Sequence, residues 1–500
     1  MLKKNITANF LGQTVSTGIG FVFIPIYINY LGVEAYGLIG LFSLVTAWLG
    51  LLDAGLSSAL AREMALFSAG KHTPHAIRTL LKSIEWFFVV IGVLILLTLV
   101  PASDWISLKW IKSNNILPDI VKKSIFLMGS MFAIKFFESI YKNAISGLQH
   151  QVAINRYEIV VSILRALGSV LLLKYISPNI LLFFIWQSVL SLLYAFFLKF
   201  QINKRLPQSD SPVTFSFASL LSIKSFAGGM FILVFLSLFQ TQIDKLLLSK
   251  ILSLEAFGFY SLSFTAAGAL MIFTSPVSQA LYPRMNQLYQ LGEFTEFKFL
   301  YHIGNQIILI IFGSASLIIF FFPKIFLIFW TNNHLIADNS YVILSIASLG
   351  FFFSGINTMS FSMLLTFSWM KKITLIKFVT VLITIPLLIY FVPIFGSLAA
   401  AIIWVFVSLI NHLLTVWVVF QTPVLIKFSD WFLHDIFYPL IPIILILSIS
   451  KKIIPEIESR PAAGCLLLIL ICLSASSSFL FSSQLRSQGI KYLKSLFIKA

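Results

Sequence analysis

The sequence predicts an all-α integral membrane protein of about 14 transmembrane helices, set out as two parallel six-helix lobes followed by two further helices. Three observations predict it: an overall composition too apolar for water, apolar runs long enough to cross a bilayer, and an internal repeat. The 500 residues are 59% hydrophobic and 11% charged, with a mean hydropathy of +0.96. Soluble domains carry roughly 25% charged residues, so this chain cannot clothe a water-facing surface. Lipid offers the backbone no hydrogen-bond partner, which leaves helices or closed barrels. The apolar runs are continuous rather than alternating, which selects helices over a barrel.

A spanning helix needs about 20 apolar residues. The candidate spans in the first half are Ile6–Tyr30, Tyr36–Ser58, Ile84–Val100, Ser124–Leu148, Tyr157–Tyr175, Ile180–Phe200 and Leu220–Lys250. Those in the second half are Phe257–Leu281, Phe299–Phe322, Ser340–Leu365, Ile373–Phe391, Ser397–Phe420, Trp431–Ser450 and Ala462–Phe481. A tight turn at residues 392–396 joins the eleventh and twelfth. The first run is too long for the apolar core of a signal peptide and holds no small-residue cleavage site, so it is read as a retained helix.

The repeat organises these spans. Leu31-Gly32-Val33-Glu34-Ala35-Tyr36-Gly37-Leu38 recurs as Leu252-Ser253-Leu254-Glu255-Ala256-Phe257-Gly258-Phe259, an offset of 221 residues. The same offset pairs Ala59-Leu60 with Ala280-Leu281, and Arg62 falls near Arg284. Six helices fit between the copies, and an even number gives parallel repeats. The polar stretch Gln201–Pro212 is the natural linker. The expected domains are therefore residues 1–205, 206–425 and 426–500, the last holding two extra helices and a basic amphipathic tail from Leu485 to Lys499.

The net charge of +17 would suggest nucleic acid in a soluble protein. Here the basic residues lie between apolar runs, where they orient helices and meet anionic headgroups, so no nucleic-acid partner is expected. With the N-terminus inside, inner segments hold roughly 21 Lys and Arg against roughly 11 outside. Lys371, Lys372 and Lys377 form one of the inner clusters. Both termini are thus expected in the cytoplasm. Cys465 and Cys472 share one apolar run and imply neither a disulfide nor a metal site. No Walker motif, metal-spaced His and Cys set or nucleophile elbow is present, and no cofactor is expected.

Charges inside spans are costly and mark function or pairing. Lys135, Glu138 and Lys142 share one face of the fourth span at ion-pair spacing. Arg165 on the fifth span shares a face with Glu158, Ser162 and Ser169. These two faces belong to one hairpin and can meet. The net positive charge suits a cavity for an anionic group such as a phosphate; the alternative is that Glu138 neutralises Lys135 or Arg165 and locks two helices. Lys142 can also snorkel to the surface. Asp244, on a stripe with Ser237, Gln240 and Thr241, is a candidate for binding H⁺ or Na⁺, with pairing to Lys245 as the alternative. Asp53 and Arg62 read as an inner gate or helix cap. Pro25, Pro276 and Pro386 are candidate bends. His412, beside Asn411, reads as a satisfied polar contact.

The two parallel six-helix lobes, Leu52-Asp53-Ala54-Gly55-Leu56 with Arg62 following, the Glu34-Ala35-Tyr36-Gly37 turn, and Gln242-Ile243-Asp244 before Glu255-Ala256-Phe257-Gly258 together resemble the polysaccharide-transporter branch of the MOP superfamily. That branch includes the Wzx O-antigen flippases and neighbours the MurJ lipid II flippases and MATE multidrug exporters. The resemblance implies a V-shaped, alternating-access flippase of the bacterial inner membrane. It would move undecaprenyl-pyrophosphate-linked oligosaccharide, the repeat unit of an O-antigen, capsule or exopolysaccharide, from the cytoplasmic to the outer leaflet. H⁺ or Na⁺ coupling is suggested for members. Lys135 and Arg165 would meet the pyrophosphate. Membrane lipids, and the polymerase or chain-length machinery, would be its partners, and a monomer would suffice. The first span carries no Arg or Lys after Lys4, which disfavours lipid II.

Two rival readings remain. A MATE-type drug exporter would want an acidic cavity, whereas the charges here lean basic. A membrane enzyme on lipid-linked sugars, such as a polymerase or ligase, needs catalytic groups in a sizeable outer loop. The longest, Pro101–Lys123, lacks an evident acid/base pair.

Overall fold

The computed structural model describes residues 2–53, 55–424, 426–455, 457 and 459–486, with side chains from residue 12 onward except 100, 225, 226, 229, 230 and 233. From residue 487 the predicted basic tail lies outside the described residues, as does Ala54. Among the described residues the regular structure is helical, with one isolated backbone bridge between Lys112 and Ser253. Ten helices among the described residues are long and apolar enough to cross a membrane. The helices that carry Lys135, Glu138, Lys142 and Arg165 are not among those ten, whereas Asp53 ends one of them. Large apolar side chains face outward along the spans: Leu97 is 64% exposed and Leu382 62%. In water such a surface would be untenable; in lipid it is the solvated face.

The chain divides into two compact units, Met1–Gly258 and Phe259–Ala500. The first holds α1 (Leu2–Leu31), α2 (Val33–Leu49), α3 (Leu56–Ser68), α4 (Pro74–Trp105), α5 (Pro118–Gly147), α6 (Gln151–Tyr175), α7 (Ile180–Arg205), α8 (Phe217–Ser222) and α9 (Lys224–Ile251). The boundary falls inside α10 (Leu254–Ala269). In the first unit α5 packs on α4 and α7, α1 packs on α6, and α9 packs on α2 and α3. Phe88, Phe136, Tyr141, Ile140 and Leu198 form its buried core, with Phe88 and Phe136 stacked at 4.8 Å.

The second unit continues with α11 (Thr274–Leu291), α12 (Phe294–Ile308), α13 (Ser314–Phe321), α14 (Pro323–Thr331), α15 (His334–Ile356), α16 (Thr358–Thr366), α17 (Met370–Val419), α18 (Phe428–Asp430), α19 (Tyr438–Ile453) and α20 (Arg460–Phe481). Its core gathers Phe297, Tyr301, Phe312, Met359 and Met363. The last two long helices dock on it through Ile443, Leu447, Ala463 and Leu467, which pack with Leu309 and Phe352.

Several helix ends follow local sequence. Pro74, Pro118 and Pro323 open helices, where the missing N–H is no loss. Thr73 caps α4 by accepting the Ala76 N–H at 3.2 Å.

The structure corrects some span boundaries. The predicted span Tyr36–Ser58 is broken by a 3₁₀ turn at Gly50–Asp53 and by Gly55 in the left-handed region (φ 75°). Its repeat partner Phe257–Leu281 is likewise broken at Leu270–Phe273, and its helix runs on to Leu291. The loop Pro101–Lys123 is partly helical: α4 continues through Pro101 into a π-helical turn at Ile106–Trp110. A helix not anticipated from sequence, α14, follows the ninth span. The eleventh and twelfth spans run together as α17. Its 50 residues would extend about 75 Å as one straight helix, far beyond a bilayer core of about 30 Å. Gly396, at φ 60° and ψ −137°, interrupts it where the turn was expected. Pro25 and Pro386 lie inside α1 and α17, and Pro276 lies in the first turn of α11.

The linker after α7 is tied down. Arg78 on α4 donates through Nε to the Pro207 carbonyl at 2.6 Å and through Nη2 to the Leu206 carbonyl at 2.8 Å.

Candidate functional site

The charged faces of α5 and α6 meet beside α7. Lys135, Glu138 and Lys142 lie at positions i, i+3 and i+7 on α5, and Glu158, Arg165 and Ser169 share a face of α6. Arg165 Nη2 donates to Glu138 Oε1 at 2.8 Å and to Ser191 Oγ of α7 at 2.9 Å. Lys135 Nζ stands 4.0 Å from the other Glu138 oxygen. Lys142 does not simply reach for the surface: its Nζ lies 3.0 Å from Glu158 Oε1, which also accepts the Tyr194 hydroxyl at 3.0 Å. Gln187 Nε2 donates to Ser169 Oγ at 3.1 Å.

Three cations therefore face two carboxylates. Glu138 and Arg165 are mostly buried, with side-chain exposures of 12% and 23%, so their attraction is weakly screened. Arg165 Nε is buried with no hydrogen-bond partner. A guanidinium has five N–H donors in a fixed fork suited to carboxylate or phosphate oxygens. An anion at Arg165 would compete with Glu138 for the guanidinium fork. The cluster can also lock α5, α6 and α7 together.

Sequence reasoning did not single out α7's share of this cluster. The signal is there: Gln187, Ser191 and Tyr194 recur at intervals of four and three, one polar face of a helix. A third carboxylate, Glu85 on α4, accepts the Tyr141 hydroxyl at 2.6 Å and faces Lys199 Nζ at 3.7 Å.

The other predicted residues lie apart from this cluster. Asp53 Oδ1 accepts the Ser57 N–H at 3.2 Å and the Ser57 hydroxyl at 2.6 Å, the geometry of a cap on α3. Ser139 of α5 donates to Ser57 Oγ at 3.2 Å, which joins this cap to α5. Arg62 is half-exposed and pairs with Glu63 at 3.2 Å; Arg284 pairs with Glu296 at 3.1 Å. Asp244 is buried on α9, with Gln240 and Ser237 partly buried one and two turns earlier. Pro25 is buried within α1.

The second unit holds two polar features that the sequence reading missed. Asp435, fully buried on a π-helical turn at Trp431–Phe437, accepts from His302 Nδ1 at 2.6 Å and Gln306 Nε2 at 3.1 Å. His302, Asn305 and Gln306 stand at i, i+3 and i+4 on α12, a spacing visible in the sequence. The second feature is a cavity of about 250 Å³ between α15, α16 and the two halves of α17, lined by Asn357, Lys377, Asn411 and Thr415. His412 Nδ1 stands 3.3 Å from Asn357 Oδ1 at its back.

Comparison with known proteins places this geometry in context. Residues 2–289 match a family described as polysaccharide biosynthesis protein. A Shigella flexneri protein named "Putative O-antigen transporter" is 22% identical over 423 residues, covering 83% of this chain and 96% of its own. The solved structure of lipid II flippase MurJ in an inward closed conformation superposes with a TM-score of 0.73 over 97% of this chain and 99% of that one, at 17% identity. The MATE multidrug transporter DinF-BH gives a TM-score of 0.60 at 15% identity, covering 85% of this chain and 96% of its own.

Proposed function

The chain belongs to the polysaccharide biosynthesis protein family, and we propose that it is a multi-pass polysaccharide transporter of the MOP superfamily, a flippase for undecaprenyl-pyrophosphate-linked oligosaccharide. It carries the repeat unit of an O-antigen, capsule or exopolysaccharide from the cytoplasmic to the outer leaflet of the inner membrane by alternating access. The observation that carries this reading is the partly buried cluster of Lys135 and Arg165 against Glu138, flanked by the exposed Lys142 on Glu158.

A pyrophosphate crossing lipid needs its charge met by fixed donors, because a bare charge at the bilayer centre costs several kcal/mol or more. Arg165 supplies a planar fork and Lys135 a point charge. Glu138 pairs with both cations before the substrate arrives and releases them to it. A MATE-type exporter of organic cations would want the opposite sign of cavity. An H⁺ or Na⁺ gradient acting through Asp244 is the driving force we favour, and a monomer is the functional unit.

Deleting the gene and profiling surface glycan beside lipid-linked intermediates tests the reading. Loss of surface glycan, with complete oligosaccharide-lipid retained on the inner leaflet, is the expected result. Unchanged glycan with new sensitivity to cationic drugs would replace this reading with drug export.

A further inference from the structure

We infer that the polar cavity of the second unit is a separate subsite for one sugar ring of the transported glycan. This inference rests on the flippase reading and adds to it where the glycan is held.

The two units carry their polar residues at corresponding places. Lys135 and Ser354 are 219 positions apart, as are Glu138 and Asn357, and Glu158 and Lys377. Ser191 and Ser408 are 217 apart, as are Tyr194 and Asn411. The offset shortens from the 221 of the repeated turn because loops differ between the halves. In the first unit these positions form the ionic cluster of α5, α6 and α7. In the second, Ser354 donates to Ser408 Oγ at 3.3 Å, and Ser354, Asn357, Lys377 and Asn411 line one cavity of about 250 Å³. The same architectural position is ionic in one half and mainly neutral and polar in the other.

The chemistry of the lining selects its ligand class. None of the lining residues is acidic, so an organic cation finds no counter-charge there. The Asn411 carboxamide offers donors and an acceptor, and Asn357 offers its NH₂ donors, a set that suits vicinal hydroxyls. Thr415 adds a hydroxyl and Lys377 an ammonium. Phe361, also in the lining, gives the C–H face of a pyranose an apolar surface. His412, 3% exposed, fixes the Asn357 carboxamide from behind. The volume lies just below the roughly 300–1,000 Å³ of typical small-molecule sites; it accommodates one ring rather than a whole repeat unit or a polyprenyl chain.

The test compares two probes on the full-length protein in lipid nanodiscs: undecaprenyl pyrophosphate without sugar, and the same lipid carrying the host's own oligosaccharide. Wild type is expected to bind the glycosylated lipid about tenfold more tightly than the bare one. Asn357→Ala, Asn411→Ala and Lys377→Met should abolish that difference and leave the bare-lipid affinity unchanged. Arg165→Ala should weaken both lipids alike. Should an alanine variant fail to fold, Thr415→Val, which keeps the shape and removes one hydroxyl, is expected to shrink the difference about threefold. Variants that keep the full preference for the glycosylated lipid, or that lose both lipids equally while folded, overturn the sugar subsite and leave the flippase reading standing. Wild type that binds neither lipid overturns the flippase reading and the subsite with it.

Discussion

Gly37 and Gly258, the last glycines of the two copies of the repeated turn, pack against each other: the Gly37 nitrogen lies 3.3 Å from where a Cβ on Gly258 would sit. The contact is reciprocal. A Cβ on Gly37 would meet the Leu254 carbonyl oxygen, and one on Gly258 would come within 2.5 Å of the Val33 carbonyl oxygen. The glycine in each copy is therefore there for close backbone approach.

Gly37→Ala and Gly258→Ala should each destabilise the protein by about 1–3 kcal/mol, the usual cost of forcing a methyl into a packed site. The obstacle is backbone, which cannot rotate away. Thermal unfolding of the purified variants checks this. A melting temperature equal to wild type would show that the two turns do not meet in the working protein.

Glu34, in the first copy of the same turn, is 7% exposed and accepts the backbone N–H groups of Asn114 at 2.6 Å and Asn115 at 3.0 Å. These charge-assisted bonds pin the segment after α4. Glu34→Ala removes the acceptor of these partly buried bonds and should cost about 1–3 kcal/mol. Glu34→Gln, which keeps an acceptor, should cost clearly less. Equal melting temperatures for the two variants would argue that the carboxylate does not hold this segment.

Arg165 and Glu138 decide between binding and bracing. Removing one partner of a buried pair typically costs about 3–5 kcal/mol, whereas replacing both by apolar groups is often neutral. Arg165→Ala and Lys135→Ala should each lower surface polysaccharide about tenfold or more, with protein still present in the membrane. The double variant Arg165→Met with Glu138→Leu separates the roles. If the pair only braces helices, the double variant should fold and transport. The expected outcome is that it folds and does not transport.

The class of protein was plain from composition, because that rests on local residue identity. The in-span charges of α5 and α6 were also visible, since a charge stands out against an apolar helix. What the sequence could not show is which element completes the cluster. Ser191 and Tyr194 look ordinary until α7 is seen packed on α5 and α6. The break at Gly50–Asp53 was hidden because Leu51 and Leu52 keep the run apolar up to Asp53, and hydropathy does not distinguish a turn from a helix in lipid. Lys377 was read as a topology signal, as lysines near span ends usually are, yet it lines a cavity beside Asn411.

Asp435 and His302 make a buried pair that ties the turn before α19 to α12. Gln306, which donates to Asp435, also accepts the Leu485 N–H at 3.3 Å, so the same cluster holds the chain after α20. Asp435→Ala would strand His302, Asn305 and Gln306 in the interior. It should destabilise by about 3–5 kcal/mol and lower the amount of protein recovered from membranes. Asp435→Asn keeps the acceptor for His302 and should lose less. A wild-type melting temperature in Asp435→Ala would mean that the appendix docks through its apolar contacts alone.

Asp244 bears on energy coupling. It is 8% exposed on α9, one turn from Gln240 and two from Ser237, so its carboxylate belongs to a polar stripe rather than to the lipid face. A carboxylate in such a place can exchange a proton or Na⁺ as the transporter cycles. Asn has the same shape and hydrogen-bonding reach but cannot titrate. Asp244→Asn should therefore leave folding intact, with a melting temperature close to wild type, while transport in proteoliposomes loses its response to an imposed pH or Na⁺ gradient. Transport that keeps its full gradient dependence would return Asp244 to a packing role. Loss of folding along with transport would do the same, because a coupling residue is replaceable in structure and irreplaceable only in function.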